Sequence, residues 1–426
     1  MAKTADFPLI FCRSCRIVDE KRITQKHKTF KGNELQSYLY LCGMKYSQLS
    51  IAELGVTIEI SSFLPVTGTK EWHAMLHVSS NGTSFADQYR RICLAEEHLM
   101  ASDEFSEAKI VFKRYFLSDS TNQQPLMNDI GVTCSVSFIQ QPPLDGSKVA
   151  LWLYIQEGMQ VLRMSPDGVS ALAENNGYQH IWTMGLSDSN GDSFQQTQTL
   201  LTRYEQILST HQACIADNCI RTWFFVRDVD TQYNGLVVAR KQYFNYIGLT
   251  SDTHYISSTG IGGNPSDPKA LIQLGCYALN GFMPEQQRYL YAPTHLNRTS
   301  DYGVTFERGT LMQYGDRNHA YISGTASIDN KGEVVHVGDI CMQTERMWEN
   351  VGCLLDEAGM TMADCAQMIV YLRDVADYGV VKRMFAQRFP DIPTIITLAP
   401  VCRPTWLIEM ECIAISESSN EQYRNY

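Results

Sequence analysis

The sequence predicts an α+β fold made of three tandem modules in one chain. Three segments of equal length, 85–119, 194–228 and 340–374, each carry a helical apolar spacing, a polar turn and a β-rich run that stops at Asp. A strand-like stretch precedes each segment, and another follows it. With 426 residues, the chain is long enough to bury several cores.

The first part of each segment predicts a helix. Apolar residues recur at the first, eighth and fifteenth positions, which are Phe85, Ile92 and Leu99, then Phe194, Leu201 and Leu208, then Ile340, Met347 and Leu354. This spacing is typical of one face of a helix about four turns long. The runs 114–117, 223–226 and 369–372 that follow are rich in β-branched and aromatic residues, and they predict strands.

Further elements flank these segments. We predict strands at 56–64, 72–78, 180–185 and 319–324 upstream, and at 148–155, 271–279 and 407–415 downstream. A second amphipathic helix is expected only in the middle and third modules, at 237–247 and 380–389. The predicted domains are a divergent module at 1–157, a middle module at 158–282, a connection at 283–302 and a third module at 303–426.

Composition limits the classes of partner. A net charge of −11 gives no basic surface for nucleic acid, so a small anionic ligand would need a local cluster of cations. The sequence contains neither a leader-like start nor an apolar run of about 18 residues, which predicts a cytoplasmic protein without a membrane anchor. The 13 cysteines suit reduced thiols.

Cys12 and Cys15 form the only C-x-x-C spacing in the sequence. A metal site of this type would need a second pair of ligands, and none occurs at a suitable spacing. Surface or packed thiols and a metal or redox role both stay open for this pair, and we predict no metal and no cofactor elsewhere.

One carboxylate occupies an unusual place. Glu409 lies within the apolar run 407–413, where an unpaired carboxylate is disfavoured and its pKa is raised. It is either a general acid or base, or a structural group paired with a buried Arg. Aligned with the other modules, it corresponds to Gln273 and to Trp152, so the third module alone has an acid there.

The third module resembles a known superfamily. The residues that carry the resemblance are the stretch 322–332, Gly338, Asp339, Gln343, Thr344, Asn350, Ala358, Gly359, the stretch 370–374 and the closing strand 408–414. They resemble the Rid superfamily, also called YjgF or endoribonuclease L-PSP-like. The resemblance implies chorismate mutase-like barrel modules that associate as trimers with clefts between neighbours. Three modules in one chain therefore imply an intramolecular pseudo-trimer, as a monomer or a weak homo-oligomer.

A second resemblance narrows the function. Imine-hydrolysing Rid enzymes carry an Arg shortly after a Pro, but the corresponding run 392–396 has none. The pair Cys402 and Arg403, followed by Glu409, resembles the chorismatases. This implies a hydrolase that acts on chorismate or a related cyclic enol-ether carboxylate and releases pyruvate, with Glu409 and Cys402 in the catalytic centre. Rid-type enamine or imine deamination and a non-catalytic binding or scaffold protein are the alternatives.

Other residues are candidates for substrate binding. The predicted set is Arg403, Arg308, Arg317, Tyr314, Tyr321, Ser323, Gly324, Thr325 and Glu411. Arg403 could bind a substrate carboxylate through two hydrogen bonds from its planar guanidinium, or it could form a salt bridge with Glu409. Cys402 is expected to line the pocket rather than attack as a nucleophile. Glu411 is a structural partner or a second acid, and the cationic run 304–321 is either a set of anchors or a solvated hairpin.

The glycine-rich stretch 257–263 is a further candidate. It lacks the Lys and the following helix that a phosphate loop needs. A turn that approaches closely and walls the cleft of the third module is the expected role.

Overall fold

The computed structural model describes residues 43–127 and 133–426, in which three six-stranded sheets follow one another along the chain. The first comprises β1 Lys45–Ile51, β2 Val56–Phe63, β3 Lys70–Val78, β4 Lys109–Leu117, β5 Ser135–Gln140 and β6 Val149–Glu157. The second comprises β7 Val161–Met164, β8 Ser170–Asn175, β9 Tyr178–Ser187, β10 Cys219–Val226, β11 Ser257–Gly262 and β12 Ile272–Asn280. The third comprises β13 Gln287–Leu290, β14 Gly309–Gln313, β15 Arg317–Ala326, β16 Cys365–Leu372, β17 Thr394–Leu398 and β18 Ile408–Glu417.

The three sheets share one topology. The first is ordered β1-β2-β3-β6-β4-β5, the second β7-β8-β9-β12-β10-β11 and the third β13-β14-β15-β18-β16-β17. In each, only the last two strands are parallel. The prediction of an α+β chain with three repeated modules is confirmed.

Seven α-helices occur in the described residues: α1 Phe85–Met100, α2 Ser120–Gln123, α3 Ser193–Ser209, α4 Ile215–Asn218, α5 Val229–Tyr246, α6 Ile340–Glu357 and α7 Tyr378–Arg388. Short 3-10 turns occupy Asp103–Phe105, Gln124–Leu126, Pro284–Gln286, Thr299–Tyr302, Met362–Asp364 and Val375–Asp377. The long helices α1, α3 and α6 begin where Ser84, Asp192 and Asp339 accept a hydrogen bond from the first-turn backbone. Each buries its apolar face against its own sheet.

The modules close into a ring. Strand β5 lies beside β9, β11 lies beside β15, and β16 lies beside β2 and β3. Each module therefore contacts the next, and the third returns to the first, which is the head-to-tail closure of a trimer within one chain. Trp152, Trp182 and Tyr321, one from each module, are buried in a shared core.

The structure adds detail at two predicted boundaries. Residues 283–302, predicted as a connection, contain β13, which pairs with β14 as the edge of the third sheet. Where the other modules have α5 and α7, the described part of the first module has only the four-residue α2.

Several sequence expectations concern thiols and membranes. Cys12 and Cys15 lie outside the described residues. The ten cysteines within the described part of the chain have free thiols. Among the residues that the structure describes, no helix is both long and apolar enough to cross a bilayer.

Candidate active site

A small pocket lies between the middle and third modules. Its volume is about 160 Å³. The middle module contributes α5 and β11. The third contributes the segment before β14, β15 with the residues just after it, the loop before β18, and β18 itself. The lining residues are Tyr233, Arg240, Ser258, Gly260, Val304, Phe306, Arg308, Gly324, Ala326, Ile328, Cys402, Arg403, Trp406 and Glu409. Of the predicted site residues, the structure brings together Glu409, Cys402, Arg403, Arg308 and Gly324.

Glu409 lies at the buried end of this pocket. It sits on β18 between Tyr371 of β16 and Ala326 of β15, and only 4% of it is exposed. Burial, and next the nearby Glu411 carboxylate, raise the pKa of Glu409 to about 8, although Arg308 and Arg221 act in the opposite direction. The carboxyl group therefore holds its proton at neutral pH, as a general acid requires.

A β-bulge shapes the wall opposite this carboxyl. The pairing of β15 with β18 shifts between Ile322 and Thr325, which marks the extra residue of the bulge at Ser323 and Gly324. A Cβ atom on Gly324 would collide with Oε1 of Glu409, so a side chain there would displace the acid. The Gly324 N–H donates to Oγ1 of Thr259 on β11 at 2.9 Å, which fixes the bulge to the middle module.

Three arginines line the same pocket as the acid. Arg308 is buried and donates to the backbone and side-chain oxygens of Asn297 at 3.2 and 3.0 Å. Arg240 of α5 is also buried and donates to Oγ1 of Thr305 at 3.1 Å. Arg403 is partly exposed and stacks over the ring of Trp406 at 4.9 Å. In a chain with an excess of acidic residues, this cluster gives the pocket a local concentration of positive charge.

Cys402 is a poor nucleophile in this setting. Burial of the thiol, and next the Glu409 carboxylate, raise the pKa of Cys402 to about 12. A reactive thiolate requires a lowered pKa. The side chain can line the pocket, as the sequence led us to expect, but it is not activated for attack.

The structure places three predicted binding residues away from this pocket. Arg317 is fully buried on the ring axis, where its guanidinium donates to Glu71 at 2.6 Å and to Asp316 at 2.7 Å. Tyr314 and Tyr321 are buried in the same aromatic cluster. The alternation of β15 explains this position, because Arg317, His319 and Tyr321 share one face of the strand. On this face Arg317 and His319 contact Glu71 of the first module, and Tyr321 packs on Tyr277 of the middle module.

Ser323 lies in the bulge and Thr325 directly follows it, and neither residue lines the cavity. The Ser323 hydroxyl donates to the backbone oxygen of Glu307 at 2.6 Å and accepts from the backbone N–H of Ser258 at 2.9 Å. The Thr325 hydroxyl donates to the backbone oxygen of Ser323 at 2.9 Å. Both residues therefore hold the bulge in place instead of presenting polar groups to a ligand.

Glu411 is engaged in the core. Its carboxylate accepts from Arg221 at 2.8 Å and from Trp223 at 2.7 Å, and Arg114 lies 3.8 Å away. Arg114 belongs to the first module and Arg221 to the middle module, so this buried pair ties all three modules together. Of the two roles considered for Glu411, the geometry supports the structural one, with Arg221 as its partner.

Sequence reasoning missed several lining residues, chiefly Arg240, Tyr233 and Trp406. Arg240 lies in the predicted helix 237–247, directly after Val237, Val238 and Ala239. A cation at the end of an apolar run is the one signal that could have identified it. The stretch 257–263 does wall the pocket, as predicted, although it begins as strand β11 rather than as a turn.

Strand register identifies the counterparts of Glu409. Glu409 pairs with Tyr371, Gln273 with Phe225, and Ala150 with Phe116, and each of these aromatic residues precedes the repeated Asp by three positions. The first-module counterpart is therefore Ala150, which corrects the predicted Trp152 by two residues. The residues of β6 around this position are all apolar, so the sequence alone did not indicate which of them corresponds to Glu409.

No metal centre is evident in the described part of the chain, where no three His, Cys, Asp or Glu residues are grouped to hold an ion.

Known proteins resemble this chain in sequence and in fold. A family described as Endoribonuclease L-PSP matches residues 312–416. A RutC family protein from Pyrococcus abyssi is 35% identical over 103 residues, which are 24% of this chain and 80% of that protein. The 3-aminoacrylate deaminase RutC from Acinetobacter baylyi is 36% identical over 74 residues, 17% of this chain, and the match spans 59% of the deaminase.

Two solved structures resemble this chain to different extents. A chorismatase crystal structure superposes with a TM-score of 0.59 and 18% identity, and the match covers 82% of this chain and 100% of the chorismatase chain. RidA from Psychrobacter sp. PAMC 21119 covers 30% of this chain and 98% of its own, with 19% identity and a TM-score of 0.26. At these identities, the chorismatase match indicates a shared fold.

Proposed function

Because the chain belongs to the Rid/YjgF (endoribonuclease L-PSP-like) superfamily, we propose that it is a chorismatase-like hydrolase. The substrate is chorismate or a related cyclic enol-ether carboxylate, and one product is pyruvate. The observation that carries the proposal is Glu409, a buried carboxyl group with a pKa of about 8 in a pocket that three arginines surround. A proton donor among cations suits an acid-catalysed reaction of an anionic substrate.

The chemistry assigned to Glu409 is protonation of an enol ether. Its proton adds to the terminal methylene carbon, and the positive charge that develops is shared with the ether oxygen. Water then adds to the adjacent carbon and loses a proton to the Glu409 carboxylate. This step regenerates the acid. The hemiketal then breaks its bond to the oxygen on the ring carbon, and its hydroxyl proton passes to that oxygen, so that pyruvate and the ring alcohol leave.

The arginines supply binding. Chorismate-like substrates carry two carboxylates, and each needs a cation or several hydrogen-bond donors once water is removed. Arg403, at the more exposed side of the pocket, and the buried Arg308 are assigned to these carboxylates, with Arg240 as a further cation from the middle module. Cys402 and Trp406 provide less polar surface for the ring.

Pyruvate release tests the proposal. The purified full-length protein is incubated with chorismate, and pyruvate is followed by a coupled lactate dehydrogenase reaction. We expect turnover above the spontaneous rate that scales with protein concentration. Absence of pyruvate release at high protein concentration, from folded protein, would contradict the proposal.

The sequence similarity to a 3-aminoacrylate deaminase favours a second candidate, Rid-type enamine or imine deamination. Ammonia release from aminoacrylate generated in the assay is the measurement. Activity there without pyruvate release from chorismate would replace the first proposal with the second. If both assays fail, a thermal-shift panel of small carboxylates separates a non-catalytic binding protein from a scaffold.

The remaining expectations are proposals of the same kind. The protein is proposed to be cytoplasmic, to bind no nucleic acid, and to exist as a monomer or weak homo-oligomer because its ring closes within one chain. Light scattering tests the oligomeric state, and a stable trimer of whole chains would contradict it.

A further inference from the structure

A second buried cavity lies on the ring axis, away from Glu409, and a side chain of the protein itself fills it. Residues 418–426 follow β18 and are here called the strap. The strap lies along the turn between β14 and β15, where the Ser418 N–H donates to the backbone oxygen of Asp316 at 3.0 Å and the Gly315 N–H donates to that of Arg424 at 2.8 Å. Most of the strap is exposed, but Tyr426 is completely buried.

The ring of Tyr426 fills a cavity that all three modules line. The guanidinium of Arg317 lies 4.7 Å from its centre, and the rings of His180 and His319 lie at 4.6 and 4.8 Å. Tyr154 and Gln156 of the first module contact its hydroxyl at 3.0 and 2.7 Å. One side chain from an otherwise exposed segment thus contacts every module.

The hydrogen bonds at the hydroxyl have a defined direction. Tyr154 donates its own proton to Glu71 at 2.8 Å, and His319 and Arg317 hold the pKa of Glu71 below its usual value despite burial. The Tyr154 oxygen can therefore only accept from Tyr426. Gln156 donates to Tyr426 through its amide. The cavity thus suits a hydroxyl group that both donates and accepts. The surrounding rings of His180, His319 and Tyr314 make a neutral phenol the matching ligand.

The walls of the cavity are held without the strap. Arg317 donates to Glu71 at 2.6 Å and to the backbone oxygen of Thr69 at 2.6 Å. His319 lies 2.9 Å from the same Glu71 carboxylate, and Gln156 donates to Tyr154 at 2.7 Å. These bonds join the first and third modules directly, so the cavity keeps its polar pattern when Tyr426 leaves.

We propose that this axial cavity is a binding site for a neutral phenol, which the chain's own Tyr426 occupies. A free para-substituted phenol competes with Tyr426 and binds when the strap is released. The proposal is independent of the chemistry assigned to Glu409, because the two sites share no residue.

The test uses the full chain with Tyr426→Ala and the probe 4-cresol, which matches the tyrosine side chain. We expect the variant to melt at a lower temperature and 4-cresol to bind it 1:1 by calorimetry, with a Kd of about 1 mM or tighter. Toluene and 4-methylanisole should bind at least about tenfold more weakly, because neither can donate to Tyr154. Tyr426→Phe is the control, since its ring still fills the cavity and should exclude the probe.

Two results would overturn the proposal: a folded Tyr426→Ala variant that does not bind 4-cresol, or one that binds toluene equally well. If the variant does not fold, hydrogen exchange of the unmodified protein decides. Excess 4-cresol should then accelerate exchange of the amides of Tyr426 and Gly315, which the strap protects. Unchanged exchange at saturating 4-cresol would refute competition at this cavity.

Discussion

Two interfaces of the ring are built from equivalent strands but carry different side chains. At the interface between the middle and third modules, β11 faces the strand pair that carries Glu409. At the interface between the first and middle modules, β5 faces the pair that carries Gln273. The register makes Gly185 the counterpart of Gly324, and the β-bulge occurs in both places. Backbone geometry is therefore shared, and side chains make the difference.

The side chains of Gln273 and Glu409 differ in their hydrogen bonding and in whether they ionise. Gln273 donates to Oγ of Ser137 at 2.9 Å, so its amide is used within the protein. Position 273 is as buried as position 409, since each is 4% exposed. A neutral amide tolerates this environment, whereas the Glu409 carboxyl responds with a raised pKa. One difference in side chain thus separates an amide that is bonded to Ser137 from a carboxyl group with a raised pKa.

The second difference is the helix after the repeated Asp. Helix α5 brings Arg240 and Tyr233 to the middle–third pocket. The described part of the first module has only α2 there, and Phe138, the register counterpart of Gly260, stacks on Tyr115 at 5.5 Å. The middle–third pocket combines an acid, a helix with a cation and a glycine in the facing strand, and the described part of the first–middle interface has none of these at the corresponding positions.

The largest expected effect comes from making the third module match the middle one at position 409. Glu409→Gln keeps the volume but removes the proton donor, so kcat/KM for pyruvate release should fall by about 10²- to 10⁴-fold. Circular dichroism should be nearly unchanged, and the melting temperature at neutral pH should not fall, because the variant avoids the cost of burying an ionisable carboxyl group. Glu345→Gln, at an exposed position of α6, is the matched control and should retain full activity.

Glu411→Gln tests the buried charged contact that joins all three modules. The change leaves Arg221 and Arg114 buried without their counter-charge, so unfolding in urea should show a loss of about 3–5 kcal/mol. A loss within experimental error of the Glu345→Gln control would show that the pair does not hold the modules together.

Gly260→Phe gives the middle–third interface the side chain that Phe138 supplies at the first–middle interface. A Cβ atom at Gly260 would lie 3.0 Å from the Tyr233 ring, so the larger side chain must enter the pocket or displace that tyrosine. KM should rise by about 10- to 100-fold, because the pocket loses volume. Gly248→Ala offers a control, since its Cβ meets open space, although the left-handed backbone there adds some strain. Unaltered KM would place the substrate elsewhere.

The pH dependence distinguishes an acid from a base at position 409. As a general acid, Glu409 must be protonated, so kcat/KM should fall about tenfold per pH unit above its pKa of about 8. A rise above pH 8 would instead indicate a general base.

The free energy of unfolding should also depend on the protonation of Glu409. The folded state keeps it up to about pH 8, whereas the unfolded chain loses it near the ordinary value of 4.5. The folded state therefore binds more protons between these values, so the free energy of unfolding should decrease from pH 4.5 to 8. Glu409→Gln should remove this decrease, which urea titrations at several pH values would measure.

The smallest effect is expected from placing an acid at the first–middle interface, which reverses the Glu409→Gln change at the counterpart position. Gln273→Glu introduces a second buried acid and should destabilise the fold by about 1–3 kcal/mol at pH 8. The cost should shrink toward pH 5, where the new carboxyl is protonated. No gain in pyruvate release is expected, because no Arg240 equivalent faces it from α2. Increased turnover would mean that the acid alone defines the site.

The repeat and the acid could be predicted because both are local properties of the sequence. Helical spacing, strand composition and the repeated Asp fixed the three modules, and a charge inside an apolar strand identified Glu409. Arg240 could not be assigned to the same pocket, because it reaches the third module across an interface between distant parts of the chain. Arg317 was selected for its charge, but its partner Glu71 lies in another module and removes it from the pocket.

The covalent linkage of the modules also affects how the pocket behaves on dilution. Tyr233 and Arg240 reach the Glu409 pocket from a different module, yet no encounter between separate chains is needed to bring them there. Assembly of the pocket is unimolecular, with an effective concentration set by the connecting chain rather than by the amount of protein. Specific activity should therefore stay constant from micromolar to picomolar protein, where a ring of three separate chains would dissociate.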